Sequence, residues 1–268
     1  MAEKQLHLSN DDFPQSNRAN DRIMNFFDTH FHLPESGDCA DYLAPLPCGH
    51  EFRLMAIGSA LESSRRAAEF AAAHRRVWSA CGIHPHEAEG FDGDLHGFAE
   101  LLSSGAKIRA VGEIGLDFFY EFAPRARQRD CFAAFLALAL ERNLPAVVHC
   151  RDQAERKDAY LECYAMLKDF AAAGGRFILH CYAGDGNDLE KFLALGGYIG
   201  LTGMVTFPKS ANIRAILRQI PDDRLLLETD APYLAPVPFR GQANHPGLLP
   251  VIVEFVARER GMKTEELA

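Results

Sequence analysis

The residues best suited to chemistry stand in short strings, each closing an apolar run. Asp28-Thr29-His30-Phe31-His32 ends the first run, Gly82-Ile83-His84-Pro85-His86 the third and Gly112-Glu113-Ile114-Gly115-Leu116-Asp117 the fourth. His149-Cys150-Arg151-Asp152 ends the fifth, His180-Cys181-Tyr182-Ala183-Gly184 the sixth and Glu228-Thr229-Asp230-Ala231-Pro232-Tyr233 the eighth. Imidazole nitrogens and carboxylate oxygens are ligands for divalent cations. Alternate side chains of a strand point the same way, so His30 and His32 share a face and can grip one ion. Taken alone, the pair also fits two satisfied polar residues at a strand end. Glu113 closes an apolar strand, where an unpaired carboxylate is costly. A cation would relieve that cost, and two carboxylate oxygens could bridge two of them; an ion pair with Arg151 would relieve it too. The weight lies in the combination. His30, His32, Glu113, His149, His180 and Asp230 fall at the ends of five different runs, and parallel strands would bring all five ends to one face.

Other residues take secondary parts. His84 and His86 are expected to bind substrate or water, because six other residues already complete a two-ion site. Arg151 suits a substrate phosphate, since guanidinium matches that geometry; an ion pair with Asp152 or Glu113 is the competing role. Tyr182 and Tyr233 could line a pocket, with core packing as the default. His7, His50, His74, His96 and His245 lie away from the run ends and are expected at the surface or in caps. By alternation Cys81, Cys150 and Cys181 should point away from the neighbouring histidines and act as small buried fillers. The chain has no G-x-S-x-G elbow to suggest a serine nucleophile.

The positioning elements follow from periodicity. Eight short apolar runs, residues 24–27, 53–57, 77–81, 109–113, 146–149, 177–180, 198–201 and 225–228, are predicted strands. Helical spacing is predicted over 63–73, 94–102, 124–141, 157–171, 188–195, 210–219 and 246–259. Residues 34–49 are rich in Pro and Gly and are expected to carry at most a short helix. Strands alternating with helices imply parallel pairing, and runs apolar on both faces imply strands covered on both sides. The expected fold is α/β, a (β/α)8 TIM barrel. Such a barrel uses roughly 250 residues, nearly the whole 268-residue chain. Residues 23–268 are assigned to this single domain, and the polar residues 1–22 to a flexible extension.

Composition limits the remaining choices. A formal charge of −9 gives no general electrostatic footprint for nucleic acid, although a local patch or bound cations could reverse the sign in a cleft. Seven cysteines without C-x-x-C spacing indicate reduced thiols and a cytoplasmic location rather than a disulfide framework. The polar first residues are not expected to act as a secretory signal, and no membrane span is expected because no uninterrupted apolar run reaches about 18 residues.

Together these strings resemble the TatD family of metal-dependent hydrolases, amidohydrolase-like barrels. The resemblance covers about residues 25–259 and includes Gly200-Leu201-Thr202-Gly203. It implies one ion held by His30, His32, Glu113 and Asp230, and a second held by Glu113, His149 and His180, with Glu113 bridging. It also implies a deoxyribonuclease of the 3′-5′ exonuclease type or a broader phosphoesterase. Two ions would acidify a water and supply hydroxide, with Asp230 accepting its proton. The imidazoles favour Zn or Mn, whereas Mg is commonly associated with the family. The loop Arg240-Gly241-Gln242-Ala243-Asn244-His245-Pro246 departs from the family's more charged form, which weakens the expectation of nucleic-acid contact there.

DNA or a small phosphoester is the expected substrate. The alternative is a hydrolase of a small ester, amide or phosphoester that does not act on nucleic acid. A metal-stabilised binding module is the non-enzymatic reading. A monomer or weak homo-oligomer without membrane attachment is expected.

Overall fold

A computed structural model describes residues 23–34, 43, 46–105, 107–153 and 155–268. The extension assigned to 1–22, His7 and most of 34–49 therefore fall outside the described residues. Eight strands form one parallel sheet in sequence order: β1 (Asn25–Phe31), β2 (Glu51–Ile57), β3 (Val77–Cys81), β4 (Ile108–Asp117), β5 (Ala146–Arg151), β6 (Phe177–Leu179), β7 (Tyr198–Leu201) and β8 (Leu225–Leu227). The helices are α1 (Leu61–Ala73), α2 (His96–Ser103), α3 (Arg125–Glu141), α4 (Asp158–Ala172), α5 (Gly186–Ala194), α6 (Ala211–Ile216), α7 (Leu249–Arg260) and α8 (Thr264–Leu267). This is the expected (β/α)8 barrel, with α8 added.

Two apolar clusters follow from strand alternation. Ala56, Cys81, Val111 and Val148 join the large core under the helices, while their neighbours Ile57, Ala80, Ala110 and Val147 form a separate cluster on the opposite face. α3 seals its side with Phe132 and Phe135, both fully buried, each stabilising by about 1.5–3 kcal/mol.

Two boundaries differ from the sequence reading in a way that matters. β1 runs through Asp28–Phe31 and β4 runs on to Asp117, past the polar residues expected to end them. Backbone pairing sustains both extensions: Phe31 bridges Ala231, and Gly115, Leu116 and Asp117 pair with His149, Cys150 and Arg151. Gly115 sits at φ +143°, and a Cβ there would lie 2.0 Å from the His149 carbonyl oxygen. Only glycine permits β4 and β5 to approach this closely beside Glu113 and His149.

Candidate metal centre

Closure of the barrel assembles the first half of the site. Beyond β8, the Asp230 N–H donates to the His30 carbonyl at 2.9 Å, and the His32 N–H donates to the Ala231 carbonyl at 2.7 Å. Asp28 fastens this seam from beneath. It is fully buried, and its Oδ1 accepts the N–H groups of His30 at 3.2 Å and Thr229 at 2.9 Å. Burial pushes the Asp28 carboxyl up to about 7 despite these bonds. Asp230 occupies the left-handed region at φ +56°, a conformation that costs about 1–3 kcal/mol and is retained where surroundings impose it.

Four atoms then face one point. His30 Nε2 lies 3.2 Å from His32 Nε2, 3.3 Å from Glu113 Oε2 and 3.8 Å from Asp230 Oδ1. His32 Nε2 lies 3.5 Å from Glu113 Oε2 and 3.6 Å from Asp230 Oδ1. Ligands at ~2.0–2.2 Å around a tetrahedral ion are separated by roughly 3.3–3.6 Å. Three of the five measured edges fall within that span and the other two, 3.2 and 3.8 Å, lie 0.1–0.2 Å outside it, a spacing close to that of a four-coordinate divalent site.

The other Glu113 oxygen serves a second set. Oε1 is 2.9 Å from His149 Nδ1, 3.7 Å from His84 Nε2 and 3.8 Å from His180 Nε2. His84 Nε2 and His149 Nδ1 are 3.3 Å apart. His180 also reaches the first set, 3.6 Å from Asp230 Oδ1, and its ring stacks on that of His30 at 3.4 Å. His84 thus stands as close to the ligand cluster as His180 does, nearer than its expected place beside substrate.

The electrostatics call for positive charge. Burial would raise the Glu113 carboxyl, but His84, His180 and His30 hold it well below the ordinary range. Burial likewise opposes charge on His180, yet Glu228, Glu113 and Asp230 raise it to about 10. Only a cation, whether a proton or a metal ion, compensates carboxylates this deeply buried.

A further layer of carboxylates orients the imidazoles. Glu228 Oε1 lies 2.8 Å from His180 Nδ1 and accepts the Cys181 N–H at 2.7 Å, while the Thr29 hydroxyl donates to Oε2 at 3.1 Å. Asp117 Oδ2 stands 3.0 Å from both His149 Nε2 and His86 Nε2. Burial would raise Asp117, but those two histidines hold it far below the usual range. Gln128 of α3 pins the Asp117 backbone on both sides, accepting its N–H at 2.8 Å and donating to its carbonyl at 3.0 Å.

The model for TatD related DNases matches residues 27–268. The chain belongs to the TatD-related DNase family. A 3′-5′ ssDNA/RNA exonuclease TatD from Dickeya dadantii is 40% identical over 220 residues, covering 80% of this chain and 81% of that protein. A metal-dependent hydrolase of Bacillus subtilis is 31% identical over 245 residues, covering 90% and 94%. The crystal structure of a TatD homologue from Escherichia coli K12 superposes with a TM-score of 0.80 at 28% identity, covering 90% and 93%. As a family member, the chain is a hydrolase that uses divalent metal.

In this TatD-family barrel the structure gathers all six predicted ligands, together with His84, His86 and Arg151, around one cleft of about 1170 Å³. Arg151 forms no ion pair with a carboxylate among the described residues; its guanidinium stacks on Phe119 at 4.3 Å and Tyr120 at 4.9 Å. Tyr182 is a core residue, with its hydroxyl donating to the Asp185 carbonyl at 2.7 Å, whereas Tyr233 is 61% exposed at the cleft. Cys181 corrects the alternation rule. Its φ of +48° breaks the strand pattern and turns it into the cleft lining. Burial raises the thiols of Cys81, to about 12, and of Cys181, so neither is a ready nucleophile. The Arg240–Pro246 loop has a structural task instead: Asn244 Nδ2 donates to the Thr229 carbonyl at 2.7 Å and the Tyr233 carbonyl at 2.6 Å. Glu228, Asp117, Asp28 and Gln128 were not singled out from sequence. A carboxylate closing a conspicuous string was the one available signal, and it marks Asp117 but not Gln128.

Proposed function

We propose that the chain is a phosphodiesterase that removes nucleotides from the 3′ end of single-stranded nucleic acid at a two-ion site. The observation that supports this most is the division of Glu113. One oxygen faces His30 and His32, and the other faces His149, His84 and His180. A carboxylate so placed is suited to bridging. The proposed first ion is held by His30, His32, Glu113 and Asp230, and the second by Glu113, His149 and His180. The histidine-rich donor set favours Zn or Mn, with Mg tolerated in assay.

Bound there, divalent cations would supply Lewis-acid stabilisation of the phosphoryl oxygens and acidify the attacking water. Asp230 is the proposed proton acceptor at its cleft-facing carboxylate. His180 and His32 hold that carboxyl below its ordinary value against burial, which keeps it ionised and able to accept. Arg151 presents in-plane N–H groups to a phosphate while its flat face rests on Phe119 and Tyr120. His84 and His86 add further polar groups to the cleft lining. The cleft, about 1170 Å³, lies just above the ~300–1,000 Å³ of typical small-molecule pockets and has room for a polymeric substrate.

The test is digestion of a 5′-labelled single strand alongside a panel of small esters and phosphoesters. Stepwise shortening from the 3′ end, blocked by a 3′-terminal phosphorothioate and lost in Glu113→Ala and Asp230→Ala, is expected. Turnover confined to small esters would replace this reading with the small-molecule one.

A further inference from the structure

Three neighbouring aromatic side chains stand in water beside the cleft. Phe119 is 41% exposed, Tyr120 47% and Phe122 62%. Apolar rings usually leave water, and a contiguous exposed group marks a contact surface. The Tyr120 and Phe122 rings are parallel, 5.3 Å apart and inclined by 10°. His86 packs edge-on against both, at 5.5 and 4.7 Å. The Arg151 guanidinium lies over the Tyr120 ring at 4.9 Å.

The loop is also fixed relative to the metal ligands. Asp117 Oδ1 accepts the N–H groups of Phe119 at 3.0 Å and Tyr120 at 2.9 Å, while its Oδ2 meets His149 Nε2 at 3.0 Å. One buried carboxylate therefore sets both the aromatic rim and a proposed metal ligand. The chain as a whole is acidic, so electrostatic attraction for a strand is confined to the cleft itself. Of the four cations lining the cleft, Arg66 donates to the Pro34 carbonyl at 2.6 Å and Lys157 is committed to Asp185 and Asp188. Arg151 and Arg156 have no carboxylate partner among the described residues. Two such cations suit a phosphate or two, and the remaining affinity must come from elsewhere.

We infer that Tyr120 and Phe122 form a nucleobase-stacking subsite, which takes an unpaired base of the strand while Arg151 holds the adjoining phosphate. The subsite rests on the phosphodiesterase reading and adds a reason for single-strand preference. Bases inside a duplex cannot offer a free face to the exposed ring of Phe122. Ring-on-base stacking tolerates any base, so the subsite selects strandedness rather than sequence.

The experiment is a cycle between protein and substrate. A dye-labelled, phosphorothioate-linked oligothymidylate binds the Mn-loaded protein, and its Kd is compared with those of oligomers carrying an abasic unit at successive positions. Loss of one particular base should weaken binding by about tenfold in the native protein. The same loss should change Kd less than about twofold in Y120A/F122A, with Phe122→Trp retaining the native response. An equal abasic penalty in native and double-variant proteins would overturn the subsite while leaving the hydrolytic reading in place. An oligonucleotide that neither binds nor is cleaved would overturn both.

Discussion

Replacing Glu228 tests whether a residue that touches no substrate controls the metal. Its carboxylate is 1% exposed, and Oε1 alone serves two partners, His180 Nδ1 at 2.8 Å and the Cys181 N–H at 2.7 Å. In Glu228→Gln an amide oxygen can keep both contacts, and the Thr29 hydroxyl can turn to accept the new NH2. Only the charge is lost. His180 becomes a poorer ligand, and metal affinity should fall by about tenfold, or ~1.4 kcal/mol. Glu228→Ala removes the acceptor altogether. The loss should then approach ~100-fold in metal affinity, with a further ~1–3 kcal/mol of folding stability for the stranded Cys181 N–H. Competition against a chromophoric chelator gives the metal Kd, and denaturant unfolding gives the stability. Metal Kd values within twofold of one another in the native protein and both variants would refute the idea that Glu228 orients His180.

Gly200→Ala should act through the same carboxylate, since its Cβ would sit 2.5 Å from Glu228 Oε1; a chelator titration should show weaker metal binding although Gly200 contacts no proposed ligand. Metal uptake should depend on pH in a known direction. His180 is raised to about 10, so near neutrality an incoming ion must displace its proton. The metal Kd should therefore tighten by about tenfold per pH unit through the neutral range, and a flat profile would contradict that coupling. Chelation should lower the melting temperature. Binding at 100 times Kd adds ~2.7 kcal/mol, worth roughly 5–10 °C for a domain of this size, so an EDTA-treated sample that melts unchanged would argue against a pre-formed site.

Much of this centre was legible in the sequence because a parallel barrel turns strand ends into a common address. His30, His32, Glu113, His149, His180 and Asp230 needed only that topology to be grouped, and the structure brings their donor atoms together. What escaped was decided by backbone geometry. The continuation of β1 through His30 depends on pairing with Ala231, a partner some two hundred residues away. The left-handed conformations of Asp230 and Cys181 break the alternation from which orientation was inferred. Gln128 looks like any helical glutamine until α3 packs it against Asp117. The exposed rings of Tyr120 and Phe122 were equally silent, because a pattern of apolar residues does not reveal which of them the fold leaves in water.

The central claim is that cations gather these side chains, and anomalous diffraction from crystals grown with Mn or Zn tests it most directly. The expected map has two peaks bridged by Glu113, one of them within bonding distance of His30 Nε2, His32 Nε2 and Asp230 Oδ1. Crystals at saturating metal with no peak in this cluster, or with peaks only elsewhere on the chain, would contradict it.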